Sequence, residues 1–132
     1  MKITSFMLII LVFSIISCNE KQVYEGSWEA VSGIRETKIK LHNDTLSILG
    51  SNEEYTDYPF QLVDFYVIQT VPVYKLHSTY GKDYFIEFPV KDNYNIGQIT
   101  NEAGGIHYFI YKSEYYTQEE AIEIYNNAIF TY

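Results

Sequence analysis

The chain has 132 residues, 17 of them acidic and 9 basic, for a formal net charge of −8 with histidine neutral. That length accommodates one domain, and that charge repels nucleic acid and anionic lipid, so neither is an expected partner. Aromatic residues make up 17% of the chain and include 14 tyrosines, more than a disordered segment carries and a composition that favours strands.

At the start, Lys2 precedes an apolar run over residues 3–16 and then the small residue Ser17. A charged start, an apolar middle and a small residue before the cut make a secretory signal peptide of residues 1–17. As a helix the run would cover about 21 Å at 1.5 Å per residue, against a hydrocarbon core of roughly 30 Å. Asn19, Glu20 and Lys21 follow at once, so a membrane span fits less well than a cleaved leader.

The only cysteine, Cys18, ends this leader. Ile15-Ile16-Ser17-Cys18 resembles the lipobox of bacterial lipoproteins, with an apolar residue three before the cysteine and a small one directly before it. Ile16 stands where that family more often has a small residue. The resemblance implies cleavage before Cys18, a diacylglyceryl group on its sulfur, acylation of the freed amine and a place in the bacterial cell envelope. Asn19 is not the aspartate that retains some lipoproteins at the inner membrane, which points to the outer one. An ordinary signal peptide followed by an unpaired thiol is the alternative. Residues 18–22 then form a short tether and residues 23–132 a single domain; without the leader the chain has 8 basic residues against 17 acidic ones, a charge of −9. With Cys18 consumed the domain has no disulfide, and its stability rests on a hydrophobic core.

Tyr24-Glu25-Gly26-Ser27-Trp28-Glu29-Ala30-Val31 reads as a first strand with Gly26, Trp28 and Ala30 on one face, ended by Ser32-Gly33. In Glu36-Thr37-Lys38-Ile39-Lys40-Leu41-His42 the alternation is strict, with Ile39 and Leu41 facing one way. Asn43-Asp44 makes a two-residue hairpin turn, pairing His42 with Thr45, Leu41 with Leu46, Lys40 with Ser47 and Ile39 with Ile48. An acidic turn over residues 50–57 and a strand over 58–64 follow, Pro59 implying an edge or a strand start. Residues 66–80 are β-rich, with a bend or bulge expected at Pro72 and Tyr74, Leu76 and Tyr80 on one face. Gly81-Lys82-Asp83 turns into a strand with Tyr84, Ile86 and Phe88 alternating, and residues 94–100 and 106–112 form a hairpin around Gly104-Gly105.

The period then changes. Thr117-Gln118-Glu119-Glu120 matches a capping box, and Ala121, Ile122, Tyr125, Ala128 and Ile129 recur at helical spacing. The helix is expected either on the outside of a sheet or across an open barrel end. The expected fold class is mainly β: seven or eight antiparallel strands as a small barrel or strongly curved sheet, with one C-terminal α-helix.

Gly26-x-Trp28 resembles the signature of the lipocalins, in which eight up-and-down strands enclose an apolar ligand cavity and the tryptophan closes one barrel end. The resemblance implies a carrier of a small apolar ligand with a cavity beneath Trp28; Lys112 stands where that family has an arginine over the ring. Trp28 as an ordinary core aromatic is the alternative. Trp28, Tyr74, Tyr84 and Tyr108 are the candidate ligand-contacting or barrel-closing residues. An exposed tyrosine face would equally suit a protein or glycan partner.

His42, His77 and His107 have no ligand spacing among them, so no metal site is expected. There is no Gly-x-Ser-x-Gly elbow, and Gly104-Gly105 precedes a strand rather than a helix, so it makes no phosphate loop. Nothing in the sequence calls for a cofactor. The reading is a non-enzymatic, membrane-anchored binding or interaction module, with the lipocalin-like carrier as its alternative.

Overall fold

The computed structural model describes residues 22–103 and 105–129; the leader and Cys18 lie outside the described residues. Among the described residues eight strands, β1 (Gly26–Ser32), β2 (Arg35–His42), β3 (Thr45–Leu49), β4 (Tyr55–Ile68), β5 (Val71–Ser78), β6 (Asp83–Glu87), β7 (Ile96–Asn101) and β8 (Ile106–Tyr111), precede a helix, α1 (Gln118–Ile129). Each strand pairs antiparallel with the next, and Glu29, Ala30 and Val31 of β1 pair with Tyr111, Ile110 and Phe109 of β8 to close the barrel. The fold is the expected mainly β one, and of the two expected shapes it is the barrel.

The β2–β3 register is the expected one, residue for residue from Ile39↔Ile48 to His42↔Thr45. Its turn holds Asn43 at φ 49° and Asp44 at φ 57°, the positive values a two-residue turn demands and these residues tolerate. One-sided burial pins the register, because a slip of one residue would turn Ile39 and Leu41, both fully buried, out to water.

The stretch from 50 to 80 differs from expectation. The turn over 50–57 ends earlier, at β4, which is a single strand of 14 residues with a bulge between Leu62 and Asp64. The chain reverses at Gln69-Thr70, φ 48° and 71°, and not at Pro72, which lies within β5 opposite Val67. Pro72 carbonyl accepts from Phe88 N–H, so its donorless nitrogen faces β6, whose ladder with β5 begins one residue on, at Val73↔Glu87. Pro59 works the same way. Its carbonyl accepts from Thr79 N–H, and its nitrogen faces β5 just before that ladder begins at Phe60↔Ser78. Both prolines thus sit just outside those ladders, where each forfeits only the one terminal bond that its nitrogen would have donated. Tyr80, expected on the face of Tyr74 and Leu76, lies beyond β5 in the turn.

β4 pairs with β3 over residues 55–59 and with β5 from Phe60 to Ile68. Stepping across the ladders from Val67 through Pro72, Phe88, Gly97, Ile110, Ala30 and Thr37 returns to β4 near Glu54, at the other end of the strand. Such a stagger means strongly tilted strands. It also carries the β4–β5 hairpin past the rest of the barrel wall at the end where the chain comes in.

Inside, Trp28, Ala30, Ile39, Leu41, Ile86, Phe88, Ile99 and Ile110 form the core. α1 packs on the outside of the barrel, where Ala121, Ile124 and Tyr125 meet Ile96, Phe109, Tyr111 and Val31. β7 and the end of β8 consequently pack on both faces, the outer one against α1. Tyr125 hydroxyl donates to Gln98 Oε1, and burial together with the Glu87 carboxylate pushes that hydroxyl's pKa up.

The helix starts as the capping box requires. Glu120 N–H donates to Thr117 Oγ1 at 3.2 Å and Thr117 N–H to Glu120 Oε1 at 3.0 Å; the Thr117 N–H, then its hydroxyl, holds the Glu120 carboxyl below its ordinary pKa. Thr117→Ala is expected to cost about 1 kcal/mol, read as a fall of several degrees in melting temperature, while Thr117→Ser leaves it nearly unchanged. A Thr117→Ala protein that melts with the wild type would show the cap to be energetically idle.

Candidate functional site

Strand tilt gives the barrel two unlike ends. The first gathers the incoming chain, the β2–β3 and β4–β5 turns, the β6–β7 loop and the end of β8. It is filled with aromatic rings. Trp28 is 2% exposed and its Nε1–H donates to Tyr24 carbonyl at 2.9 Å. Tyr24 makes edge contacts with Tyr74 (5.2 Å between centroids) and Phe60 (6.2 Å), and Phe88 lies 6.2 Å from both Trp28 and Tyr74. Burial, reinforced by the Asp44 and Glu25 carboxylates, pushes the Tyr24 hydroxyl's pKa up, so it stays neutral. Two glycines make room. Gly97 lets Phe88 lie across the end, since a Cβ there would come within 2.9 Å of Glu87 carbonyl and 3.1 Å of the Phe88 ring.

Gly26 explains the Gly-x-Trp spacing. Its φ of 134° suits glycine, and a Cβ would collide with Lys112 Nζ. That ammonium sits 4.3 Å from the Trp28 ring, a cation–π contact. Burial lowers the Lys112 pKa, with the Glu114 carboxylate opposing. Glycine, tryptophan and lysine therefore form one unit: the first leaves the space through which the third covers the second.

The other end carries the β1–β2, β3–β4, β5–β6 and β7–β8 turns, and it is open. A cavity of about 370 Å³ descends from it into the barrel. Its walls are Leu41, Leu46, Ile48, Phe60, Leu76, Ile86 and Ile99; Tyr58, Tyr80, Tyr84, Tyr108, Ser78, Lys82 and His107 complete the lining. Several of the rings hold one another: Tyr58 meets Tyr80 edge-on at 6.2 Å, and His107 stacks at 5.8 Å from Tyr84 and 5.7 Å from Tyr108. Buried Ser78 Oγ accepts from Lys82 N–H at 3.1 Å, fixing the β5–β6 turn at the rim. An apolar interior with a few polar groups at one end is the usual form of a small-molecule pocket, and this volume lies at the low end of that range.

The four candidate residues divide between the ends. Trp28 and Tyr74 belong to the closed end and do not line the cavity; Tyr84 and Tyr108 line it. The cavity expected beneath Trp28 lies instead toward the opposite end, because Tyr24, Tyr74 and Phe88 fill the space around the tryptophan. Sequence reasoning missed Lys82 and the wall leucines and isoleucines as site residues. The signal for the wall was the inward set of each alternation, taken as core throughout.

The histidines do not converge. His42 Nε2 contacts Asn43 Nδ2 at 3.0 Å, His77 Nδ1 lies 2.6 Å from Asp83 Oδ1, and His107 is at the mouth. The His77 hydrogen bond, then Lys75, holds the Asp83 carboxyl below its ordinary pKa. No group of three or more potential metal ligands occurs among the described residues, and no described helix is long and apolar enough to cross a membrane. No family model, curated protein or solved structure matches this chain.

Proposed function

We propose that the protein is an exported, lipid-anchored binding module that holds a small elongated apolar molecule in the open end of its barrel. The observation that carries this reading is the cavity: about 370 Å³, apolar along its walls and rimmed by tyrosines and Lys82. Burying an apolar ligand there gains roughly 25 cal/mol for each Å² of apolar surface removed from water. The tyrosine hydroxyls, Ser78 and Lys82 offer hydrogen bonds and one positive charge to a polar or anionic head at the rim. The anchor is supported by the leader and by Cys18 at its end. Gly26, Trp28 and the eight-strand order support the lipocalin-like reading over a purely surface-binding one, because a packed barrel would have left nothing to carry.

The test uses the protein purified from membranes. Mass spectrometry is expected to find the chain beginning at an acylated Cys18. The apolar dye N-phenyl-1-naphthylamine is expected to bind saturably at one site and to be displaced by a long-chain carboxylate. Dye binding that never saturates, or that no apolar competitor reverses, would sink the carrier reading and leave the anchored interaction module.

A further inference from the structure

We infer that the β4–β5 hairpin is a membrane seat: its apolar tip lies in the headgroup region of the bilayer that holds the anchor. This rests on the lipid-anchor part of the function proposed above. The ten residues from Phe65 to Tyr74 carry no charge, in a chain with 20% charged residues. Val63, Phe65, Val67 and Ile68 are 48%, 51%, 58% and 55% exposed. Alternating residues of one hairpin are apolar on both faces there, and a soluble surface does not need that.

The position of the hairpin names its occupant. Barrel stagger carries its tip beyond the closed end, the end at which the described chain begins at Gln22. A chain of rings ties the two together: Tyr24 is 5.2 Å from Tyr74, which is 4.7 Å from Phe65. Residues 19–22 can span at most about 14 Å. A lipid on Cys18 therefore brings the bilayer surface to this end of the barrel, where Val23, next to Gln22 in the chain, is 45% exposed. Tyr66 suits the headgroup level, where amphipathic rings concentrate.

The same backbone sets the depth. From Gln61 onward the β3-side edge of β4 pairs with no strand among the described residues. Unpaired amides cannot enter hydrocarbon, so the tip stops among the headgroups. The acidic domain makes apolar contact, not charge, the source of attraction. With both lipid and hairpin on one side, the cavity mouth at the other end of the barrel is held away from the bilayer.

The test labels the full lipoprotein with the fluorophore NBD at Val67→Cys or, as control, at Ile34→Cys in the β1–β2 turn, where Ile34 is fully exposed. Acylated Cys18 leaves each introduced thiol the single reactive one. In phosphatidylcholine vesicles the Val67→Cys label is expected to be blue-shifted and several-fold brighter than the Ile34→Cys label. Lipids with a nitroxide near the headgroup should quench it more than lipids with one deep in the chain. A Val67→Cys label as water-exposed as the control, on protein that floats with the vesicles, overturns the seat and leaves the anchor standing. Protein that neither floats nor carries acyl groups overturns the anchor and the seat together. A shielded label that no lipid nitroxide quenches assigns the free edge to a second copy of the chain, which also overturns the seat.

Discussion

Trp28→Ala is expected to destabilise the domain by about 3–5 kcal/mol, the range for removing a large buried aromatic side chain, out of a total near 5–15 kcal/mol. The size follows from what the ring does at once. It fills the closed end against Phe88, gives Tyr24 carbonyl its hydrogen bond and lies beneath a half-buried ammonium. Alanine would leave a cavity beneath aromatic neighbours that cannot collapse, a carbonyl without its donor, and Lys112 desolvated beside nothing. Trp28→Phe separates these effects: it keeps much of the ring but removes the donor, a smaller loss of about 1–3 kcal/mol. Urea unfolding followed by far-ultraviolet circular dichroism reads both variants without relying on the lost fluorophore. A Trp28→Ala midpoint showing less than about 1 kcal/mol of loss, the ordinary cost of an unremarkable substitution, would remove Trp28 from its place as the keystone of that end.

Ile48→Trp is expected to weaken binding of an apolar ligand at least tenfold, about 1.4 kcal/mol, with little change in stability. Ile48 is half-buried and lines the cavity, so the larger ring extends into open volume instead of into packed neighbours, avoiding the overpacking penalty of a filled core. The competing surface reading predicts no change, because Ile48 points into the barrel. Lys82→Met sharpens the result. At an exposed rim its charge contributes at most about 1 kcal/mol, so a carboxylate-headed ligand should lose a few-fold in affinity and a neutral one nothing. Titration calorimetry with one ligand of each kind measures both. Equal binding by wild type and Ile48→Trp would place the ligand outside the barrel.

The aromatic clusters illustrate how local pattern and tertiary arrangement share the outcome. Tyr74 and Tyr84 look alike in the sequence pattern, both at inward positions on adjacent strands. One stops an end of the barrel and the other lines its mouth. Their separation along the barrel axis comes from strand tilt, which is a property of closure and belongs to no single strand.

Local chemistry by itself determined the β2–β3 hairpin, the capped helix, the strand alternation and the single-domain mainly β class. In each, the decisive residues are close in the chain: strict alternation with Asn43-Asp44 between, or Thr117 three before Glu120. The β4–β5 reversal was illegible for the converse reason. Gln69-Thr70 adopts positive φ without a glycine or asparagine to announce it, and Pro72 drew attention to the wrong point. Tertiary structure alone decided that the sheet closes, that α1 lies against the outer wall, that Gly26 makes way for Lys112 over Trp28, and that a cavity opens at the end away from the tryptophan. Those features depend on how far the strands shift past one another around the barrel. That shift is set by the sum of eight ladders, which no stretch of the chain records.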